Sequence, residues 1–139
     1  MVLFNYETEF ELTNESKYEE WIDAVITSEG KEAGEINYIF CDDEYLLEIN
    51  KQYLDHDTLT DIISFDYTMG DLISGDIFIS VDRVKDNAQE YDVSFHVELL
   101  RVMCHGVLHY CGYKDKTAED EKLMREKEQE KMNMFHVEL

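Results

Sequence analysis

The apolar residues near the start of the chain change between the spacing of strands and the spacing of helices. Five of them recur at positions i, i+3, i+4, i+7 and i+8: Tyr18, Trp21, Ile22, Val25 and Ile26. This spacing puts them on one face and predicts an amphipathic helix that ends near Gly30. Runs rich in β-branched and aromatic residues precede and follow the helix, and they predict strands over residues 2–6 and 35–41.

The middle of the chain predicts a helix followed by a β-hairpin. Asp42 is a typical N-cap residue, and the helix after it has four large apolar residues on one face: Tyr45, Leu46, Ile49 and Tyr53. Strand patterns over residues 60–67 and 76–80 flank a turn at 69–75. Two strands joined by a short turn predict an antiparallel pair.

The remaining sequence predicts three helices: one over residues 81–91, a second that includes the apolar segment 99–111, and a third near residues 118–132. Ser94 can cap the second of them. Thr117 and Asp120 resemble a capping box that opens the third.

Together these elements predict a single α/β (α+β) domain over residues 1–139, with a mixed sheet of about four strands and helices packed around it. A chain of 139 residues is long enough to bury one hydrophobic core.

Composition adds a prediction about location. The chain has no apolar run of membrane-spanning length, and its first residues lack the basic region and long apolar stretch of a signal peptide. Cys41, Cys104 and Cys111 form no C-x-x-C pair, which predicts small buried side chains rather than disulfides. We therefore expect a cytoplasmic protein that makes no contact with a membrane.

The formal net charge of −21 limits the function classes. Affinity for nucleic acid normally comes from Lys and Arg side chains that contact phosphates. A chain this acidic is not expected to bind RNA through broad electrostatic attraction. The aromatic residues also show no pattern typical of a platform for stacking bases.

The helix that includes residues 99–111 is mostly apolar, which predicts that it is a central buried element of the fold. A single row of polar side chains on this helix contains the candidate functional residues. Arg101, His105 and His109 fall at i, i+4 and i+8. Two histidines four residues apart can turn toward one divalent ion. Gly112 can take a positive φ and end the helix, so that Asp115 returns as a third ligand. Two His and one carboxylate are typical of a catalytic zinc site, and we predict one zinc ion per chain.

A second interpretation of the two histidines needs no metal. Each imidazole could bind a carbonyl group of the core, with Gly112 as an ordinary helix end. The spacing of the whole set, His105, His109, Gly112 and Asp115, favours the metal site.

Several segments resemble the YbeY family of bacterial rRNA-maturation endoribonucleases. Residues 105–113 match its signature His-Gly-x-Leu-His-x-x-Gly-Tyr, and residues 60–65 (Thr-Asp-Ile-Ile-Ser-Phe) are similar to its Thr-Asp-Val-Leu-Ser-Phe strand. Residues 75–77 match its Gly-Asp-Ile strand, and residues 50–53 its Asn-x-x-Tyr. The resemblance implies a small mixed sheet surrounded by helices and a metal-dependent hydrolase domain.

The chain departs from the family pattern at three positions. Asp115 stands where the family has a third His ligand, and Lys114 where it has Asp. Leu54 replaces an Arg that the family treats as functionally important. Arg101 is our candidate for a catalytic cation in its place, with Lys114 and His56 as further candidates. A salt bridge beside the site is the alternative role for Arg101.

The spacing of the ligands also resembles that of the metzincin zinc peptidases. In those enzymes a Glu follows the first His and acts as general base, whereas here Gly106 follows it. This difference argues against peptide hydrolysis. A glycine beside the metal is expected to leave room for a bulky substrate such as a phosphodiester backbone.

The resemblance implies a zinc-dependent endoribonuclease that cleaves single-stranded RNA in maturation of the 3′ end of small-subunit rRNA and in ribosome quality control. It implies rRNA, small-subunit ribosomal proteins and a ribosome-associated GTPase as partners. Two other hypotheses stay open: another zinc hydrolase, including a degenerate peptidase, and a non-enzymatic ribosome-assembly factor whose zinc is structural or vestigial. Leu54 is the feature that supports the last of these.

Overall fold

Five helices and four strands make up the part of the chain that the computed structural model describes, which is residues 1–54 and 60–137, with side chains up to residue 135. They follow in the order β1 (Val2–Tyr6), α1 (Glu15–Ser28), β2 (Glu32–Cys41), α2 (Asp43–Leu54), β3 (Ile62–Asp66), β4 (Leu72–Ser80), α3 (Val81–Glu90), α4 (Phe95–Tyr110) and α5 (Ala118–Val137). The predicted single α+β domain is confirmed.

The strands form one mixed sheet in the order β1-β2-β4-β3. Strand β2 pairs in parallel with β1 on one side and with β4 on the other. Strand β3 pairs antiparallel with β4, as the hairpin pattern predicted. Because β2 and β4 are the inner strands, they carry most of the buried side chains of the sheet.

The two faces of the sheet are covered unequally because side chains alternate between faces along each strand. Ile77 and Ile79 of β4 belong to the main core, which helices α1, α4 and α5 cover. Phe78, between them, faces a smaller cluster under α2, together with Leu46 and Ile49. Helix α4 lies in the main core and is buried along most of its length, as predicted for the helix that carries the two histidines.

Several strand boundaries differ from the prediction: β3 is shorter than the predicted 60–67, and β2 and β4 begin earlier than predicted. β2 begins at Glu32 and β4 at Leu72, so residues 72–75, which were predicted as turn, belong to a strand. The extensions pair with each other, Glu32 with Leu72 and Ala33 with Ile73, before an irregularity in the register. The sequence pattern missed them because glycine and polar residues interrupt the alternation there.

The predicted helix caps are confirmed by hydrogen bonds. The Asp42 carboxylate accepts from the Tyr45 N–H at 2.8 Å, and Ser94 Oγ accepts from the Val97 N–H at 3.1 Å. Thr117 Oγ1 accepts from the Asp120 N–H at 3.0 Å. Each cap satisfies a backbone donor that the first turn of a helix leaves free.

All three cysteines are free thiols, and Cys41 and Cys104 are fully buried, as predicted. Cys111 was also predicted to be buried, but it is only partly buried. Within residues 1–54 and 60–137, no helix combines the length and the apolar character needed to cross a membrane.

Candidate metal centre

Helix α4 brings His105 and His109 to one partly buried face beside α5. The residues around them on the helix, including Cys104 and Leu108, are buried in the core. A helix fixed in this way holds both imidazoles in place, one turn apart. Cys104, the neighbour of His105 in the sequence, faces the core, and burial raises the pKa of its thiol, which keeps it protonated.

The chain turns back directly after α4. Gly112 has a φ of 108°, a backbone conformation that disfavours any residue with a Cβ. Its N–H donates to the His109 carbonyl at 3.0 Å, and the Tyr113 N–H donates to the Leu108 carbonyl at 3.1 Å. These bonds close the helix end and direct the next residues, including Asp115, back toward the two histidines.

Three ligand atoms meet at this point. His105 Nε2 and His109 Nε2 are 2.9 Å apart, and Asp115 Oδ2 lies 3.5 Å from the first and 3.4 Å from the second. One atom from each residue lies within 4.8 Å of the others, close enough for all three to bind one ion. The structure therefore brings together the three residues that the sequence singled out.

The other nitrogen of each imidazole has an acceptor. His109 Nδ1 is 2.9 Å from the Tyr113 carbonyl oxygen, and His105 Nδ1 is 2.6 Å from Glu128 Oε2. A carbonyl only accepts, so the Nδ1 proton of His109 points at Tyr113, and the Glu128 carboxylate favours the same tautomer for His105. Both Nε2 lone pairs then face each other, an arrangement that a shared cation stabilises. The donor set fits a metal ion.

Glu128 links this site to a network of charges between α4 and α5. Its side chain is only 3% exposed, and its Oε1 lies 3.5 Å from Arg101 and 3.3 Å from Arg125. A buried carboxylate needs such partners because an unpaired charge inside a protein is costly. The two arginines therefore stabilise the carboxylate that holds His105.

Arg101 is bound on several sides by carboxylates. It donates to both oxygens of Glu98, at 2.9 and 2.6 Å, in a bidentate pair, and it lies 3.7 Å from Asp61. Burial disfavours the charged guanidinium, but the bonds to Glu98 and the charges of Glu98, Glu128 and Asp61 raise the pKa of Arg101 above its usual value. This geometry favours the salt-bridge alternative, and a catalytic role for Arg101 stays a prediction.

Gly106 does not face a substrate space. It is buried, and a Cβ at this position would lie 2.9 Å from Ile77 Cδ1 and 3.3 Å from Ile62 Cδ1. The expectation that Gly106 leaves room for a bulky substrate is therefore wrong. The glycine allows α4 to pack closely on the sheet.

The remaining cations near the site differ in their exposure and in their ion pairs. Lys114 is exposed in the loop that carries Asp115, and His56 lies outside the described residues. Leu54, at the end of α2, is 44% exposed. Lys127 and Lys131 of α5 are bound by Glu29 and Glu130, so these two lysines form ion pairs rather than a free basic surface.

Sequence reasoning missed two residues of the site, Glu98 and Glu128. Glu98 carried a weak signal, since it is the acidic residue in an apolar helix, three positions before Arg101. Glu128 carried none, because it alternates with Glu126 and Glu130 in a helix that is charged throughout. The packing of α5 on α4 singles it out.

A pocket of about 330 Å³, the metal pocket, opens beside the ligands. Besides His105 and Asp115, its lining includes Lys122, Arg125 and Glu128 of α5. Glu121 also lines the pocket, so carboxylates and cations both face this space, and it can hold a small polar group next to the three ligand atoms.

Comparisons with known proteins cover both the sheet and this site. A family model described as Endoribonuclease YbeY matches residues 3–136. A Flavobacterium johnsoniae protein named Endoribonuclease YbeY is 67% identical over 138 residues, covering 99% of each chain. One from Bacteroides thetaiotaomicron with the same name is 50% identical over 115 residues, covering 83% of this chain and 84% of that protein. The solution structure of a Thermotoga maritima protein is similar with a TM-score of 0.70 and 26% identity, covering 99% of this chain and 91% of that one.

Proposed function

This chain belongs to the YbeY endoribonuclease family, and from that premise we propose that it is a zinc-dependent endoribonuclease that cleaves single-stranded RNA. The observation that carries the proposal is the convergence of His105 Nε2, His109 Nε2 and Asp115 Oδ2 on one point beside an open pocket. Three protein ligands leave a coordination position for water or substrate, as catalytic zinc sites do.

Zinc bound by these residues would supply Lewis-acid activation of water or of a phosphoryl oxygen. The protein would supply orientation. Glu128 and the Tyr113 carbonyl hold the Nδ1 protons and so keep both Nε2 lone pairs free for the ion. Asp115 adds a negative charge, which makes the centre less positive than one with a third His.

Arg101 acts in this proposal as a positioning residue. Its guanidinium is fully engaged with carboxylates, and one of these, Glu128, is the partner of His105. The earlier hypothesis, a direct catalytic contact with phosphate, would require Arg101 to give up its bidentate bond to Glu98. An Arg101→Lys variant separates the two roles: a positioning role predicts weaker zinc binding, and a catalytic role predicts lower kcat with zinc binding intact.

The proposed substrate is the 3′ end of small-subunit rRNA, in the cytoplasm, in rRNA maturation and ribosome quality control. Small-subunit ribosomal proteins and a ribosome-associated GTPase are the proposed partners. The net charge of −21 supports delivery of the RNA by such proteins rather than by free affinity. Tight binding of bare RNA with a steep dependence on salt would contradict this part of the proposal.

A second candidate function is a non-enzymatic assembly factor. Leu54 favours it, because an exposed apolar residue stands where the family has a functional arginine. A degenerate zinc peptidase has no comparable support, since the position of the general base is occupied by the buried Gly106.

The test compares cleavage of a single-stranded RNA by wild type, by Asp115→Ala, and by Glu119→Ala, which removes an exposed carboxylate from the first turn of α5. We expect cleavage by wild type and by Glu119→Ala, loss of cleavage after chelation, recovery with zinc, and none with Asp115→Ala. Cleavage that survives both chelation and Asp115→Ala would contradict the metal mechanism. Absence of cleavage by zinc-loaded wild type, with rRNA maturation intact in His105→Ala cells, would favour the assembly factor.

A further inference from the structure

A second pocket of about 330 Å³ adjoins the metal pocket. Its walls include Tyr91 and Val93, which follow α3, Val97 of α4, and Arg125, Glu128 and Met132 of α5. We call it the Tyr91 pocket. Arg125 and Glu128 line both pockets, so the two cavities meet at these side chains. A nucleotide chain that passes around the exposed side chain of Arg125 would contact both pockets.

The walls of the Tyr91 pocket offer an aromatic face and apolar contacts. Tyr91 is 53% exposed, and Val93 beside it is 40% exposed. The backbone N–H of Tyr91 donates to the Asn87 carbonyl at 2.9 Å and caps α3, so the main chain that carries the ring is fixed. An exposed aromatic ring on a fixed backbone is the usual support for an unstacked base.

The charged groups that line the Tyr91 pocket are paired with one another. Arg101 binds Glu98, and Arg125 lies 3.3 Å from Glu128. Two carboxylates and two guanidinium groups cancel in formal charge, whereas the chain as a whole carries −21. The repulsion that this chain exerts on RNA is therefore reduced at this pocket.

Arg125 is placed to contact a phosphate between the two pockets. Its side chain is 60% exposed, and its contact with Glu128 uses NH1. An arginine in this state can donate to a phosphate without breaking a buried ion pair. Lys122, also exposed, lines the metal pocket one helical turn earlier.

We propose that the Tyr91 pocket binds one unpaired base of the RNA substrate and that Arg125 binds the phosphate between this base and the metal centre. The inference rests on the proposed function, since it takes single-stranded RNA as the substrate. The shared wall of the two pockets favours this occupant, because a chain of nucleotides presents a base and a phosphate at neighbouring positions.

The first arm of the test uses Tyr91→Ala, with Tyr67→Ala as the matched control. Tyr67 is 59% exposed and lines a separate pocket with Tyr53 and Phe65. We expect Tyr91→Ala to raise KM about tenfold, with kcat changed less than about twofold, because one stacked base is lost. Tyr67→Ala is expected to leave both constants unchanged.

Substrates with a single abasic ribose, moved along the strand, identify the occupant. At one position the abasic ribose is expected to raise KM for wild type and to remove the difference between wild type and Tyr91→Ala. A Tyr91→Ala defect of equal size on every abasic strand would overturn the proposal. Tyr91 would then support the fold or contact a protein partner, and it would not bind one base of the RNA. Equal kinetics for Tyr91→Ala and Tyr67→Ala would also overturn it.

The second arm uses Arg125→Gln, with Lys85→Gln as control, because Lys85 is an exposed lysine of α3 that lines neither pocket. RNA binding is measured in an Asp115→Ala background, where no cleavage is expected. Loss of one phosphate contact is expected to reduce the slope of log K against log salt by about 0.7, with no change for Lys85→Gln. An unchanged slope for Arg125→Gln would overturn the phosphate contact.

The outcomes separate this inference from the proposed function. Cleavage by wild type with kinetics that Tyr91→Ala leaves unchanged would retain the nuclease and overturn the subsite. Tyr91-dependent binding of RNA without cleavage would retain the subsite and overturn the nuclease.

Discussion

Two buried charges of α5, three residues apart, differ in their relation to the candidate metal centre. The side chains of Glu128 and Lys131 are each 3% exposed. Glu128 binds His105 Nδ1 directly. Lys131 binds Glu29 at 2.8 Å, and Glu29 in turn accepts from the Tyr113 hydroxyl at 2.6 Å.

The two networks reach their histidines through different chemical groups. His105 depends on a carboxylate side chain, whereas His109 depends on the backbone carbonyl of Tyr113. Backbone hydrogen bonds at the end of α4 fix that carbonyl independently of Lys131. Burial of a charge therefore does not by itself identify a functional residue. The group that the charge binds does: Glu128 binds a candidate metal ligand, whereas Lys131 binds another carboxylate. Glu128 should affect metal binding, and Lys131 should affect the stability of the fold.

The largest expected effect is on stability, from Lys131→Met. Loss of the ammonium leaves the largely buried Glu29 without its closest cation, and we expect the free energy of unfolding to fall by about 3 kcal/mol. Chemical denaturation measures it. Lys127→Met is the matched control: Lys127 lies 3.9 Å from the same Glu29 but is 28% exposed, so its loss should cost less than about 1 kcal/mol. Equal losses in the two variants would remove the distinction between buried and exposed partners.

Glu128→Gln is expected to weaken zinc binding by about 10- to 100-fold, because the amide supports the His105 imidazole less well than the carboxylate. Competition with a chelator of known affinity measures the change. Glu126→Gln, an exposed position on the same helix, should leave zinc affinity unchanged. Zinc affinity that fell more in Lys131→Met than in Glu128→Gln would reverse the comparison.

Tyr113→Phe sharpens the comparison, because it cuts the Lys131 network while the Tyr113 carbonyl stays in place. Loss of the hydroxyl bond to Glu29 should cost about 1 kcal/mol of unfolding free energy. Zinc affinity should equal that of wild type. A loss of zinc binding in this variant would show that the loop needs Glu29 to hold the carbonyl against His109.

The smallest effect is a dependence on pH. Burial works to raise the pKa of Glu29, but the hydrogen bonds from Lys131 and Tyr113 and the charges of Lys131 and Lys127 outweigh it and lower this pKa. Stability from the ionised Glu29 is therefore complete above the pKa of an unfolded Glu, about 4.3, and is lost as pH falls through the folded value. The stability difference between wild type and Lys131→Met should narrow below about pH 4. A difference that widened there would contradict the assignment.

The sequence predicted most of the fold because its main elements have clear periodicity. The apolar face of α1 and the caps at Asp42 and Ser94 are local features that a short window contains. The early start of β2 depends on pairing with β4, forty residues away, and no local pattern records it.

The candidate site was predictable only in part, because some of its residues are close together in the sequence and others are not. His105, His109, Gly112 and Asp115 lie within one helix end and one turn, so their spacing is visible in the sequence. Glu128 lies 23 residues from His105 and meets it only when α5 packs on α4. The expected role of Gly106 was wrong because α4 is apolar around most of its circumference, so its sequence does not tell which side packs on the sheet.

The most direct test of the metal centre is the zinc content of protein purified without chelator or nickel resin. About one zinc per chain is expected for wild type and for Glu119→Ala, with zinc lost or much reduced in Asp115→Ala. Wild-type protein that carries no metal and cannot be loaded with zinc would contradict the proposed centre.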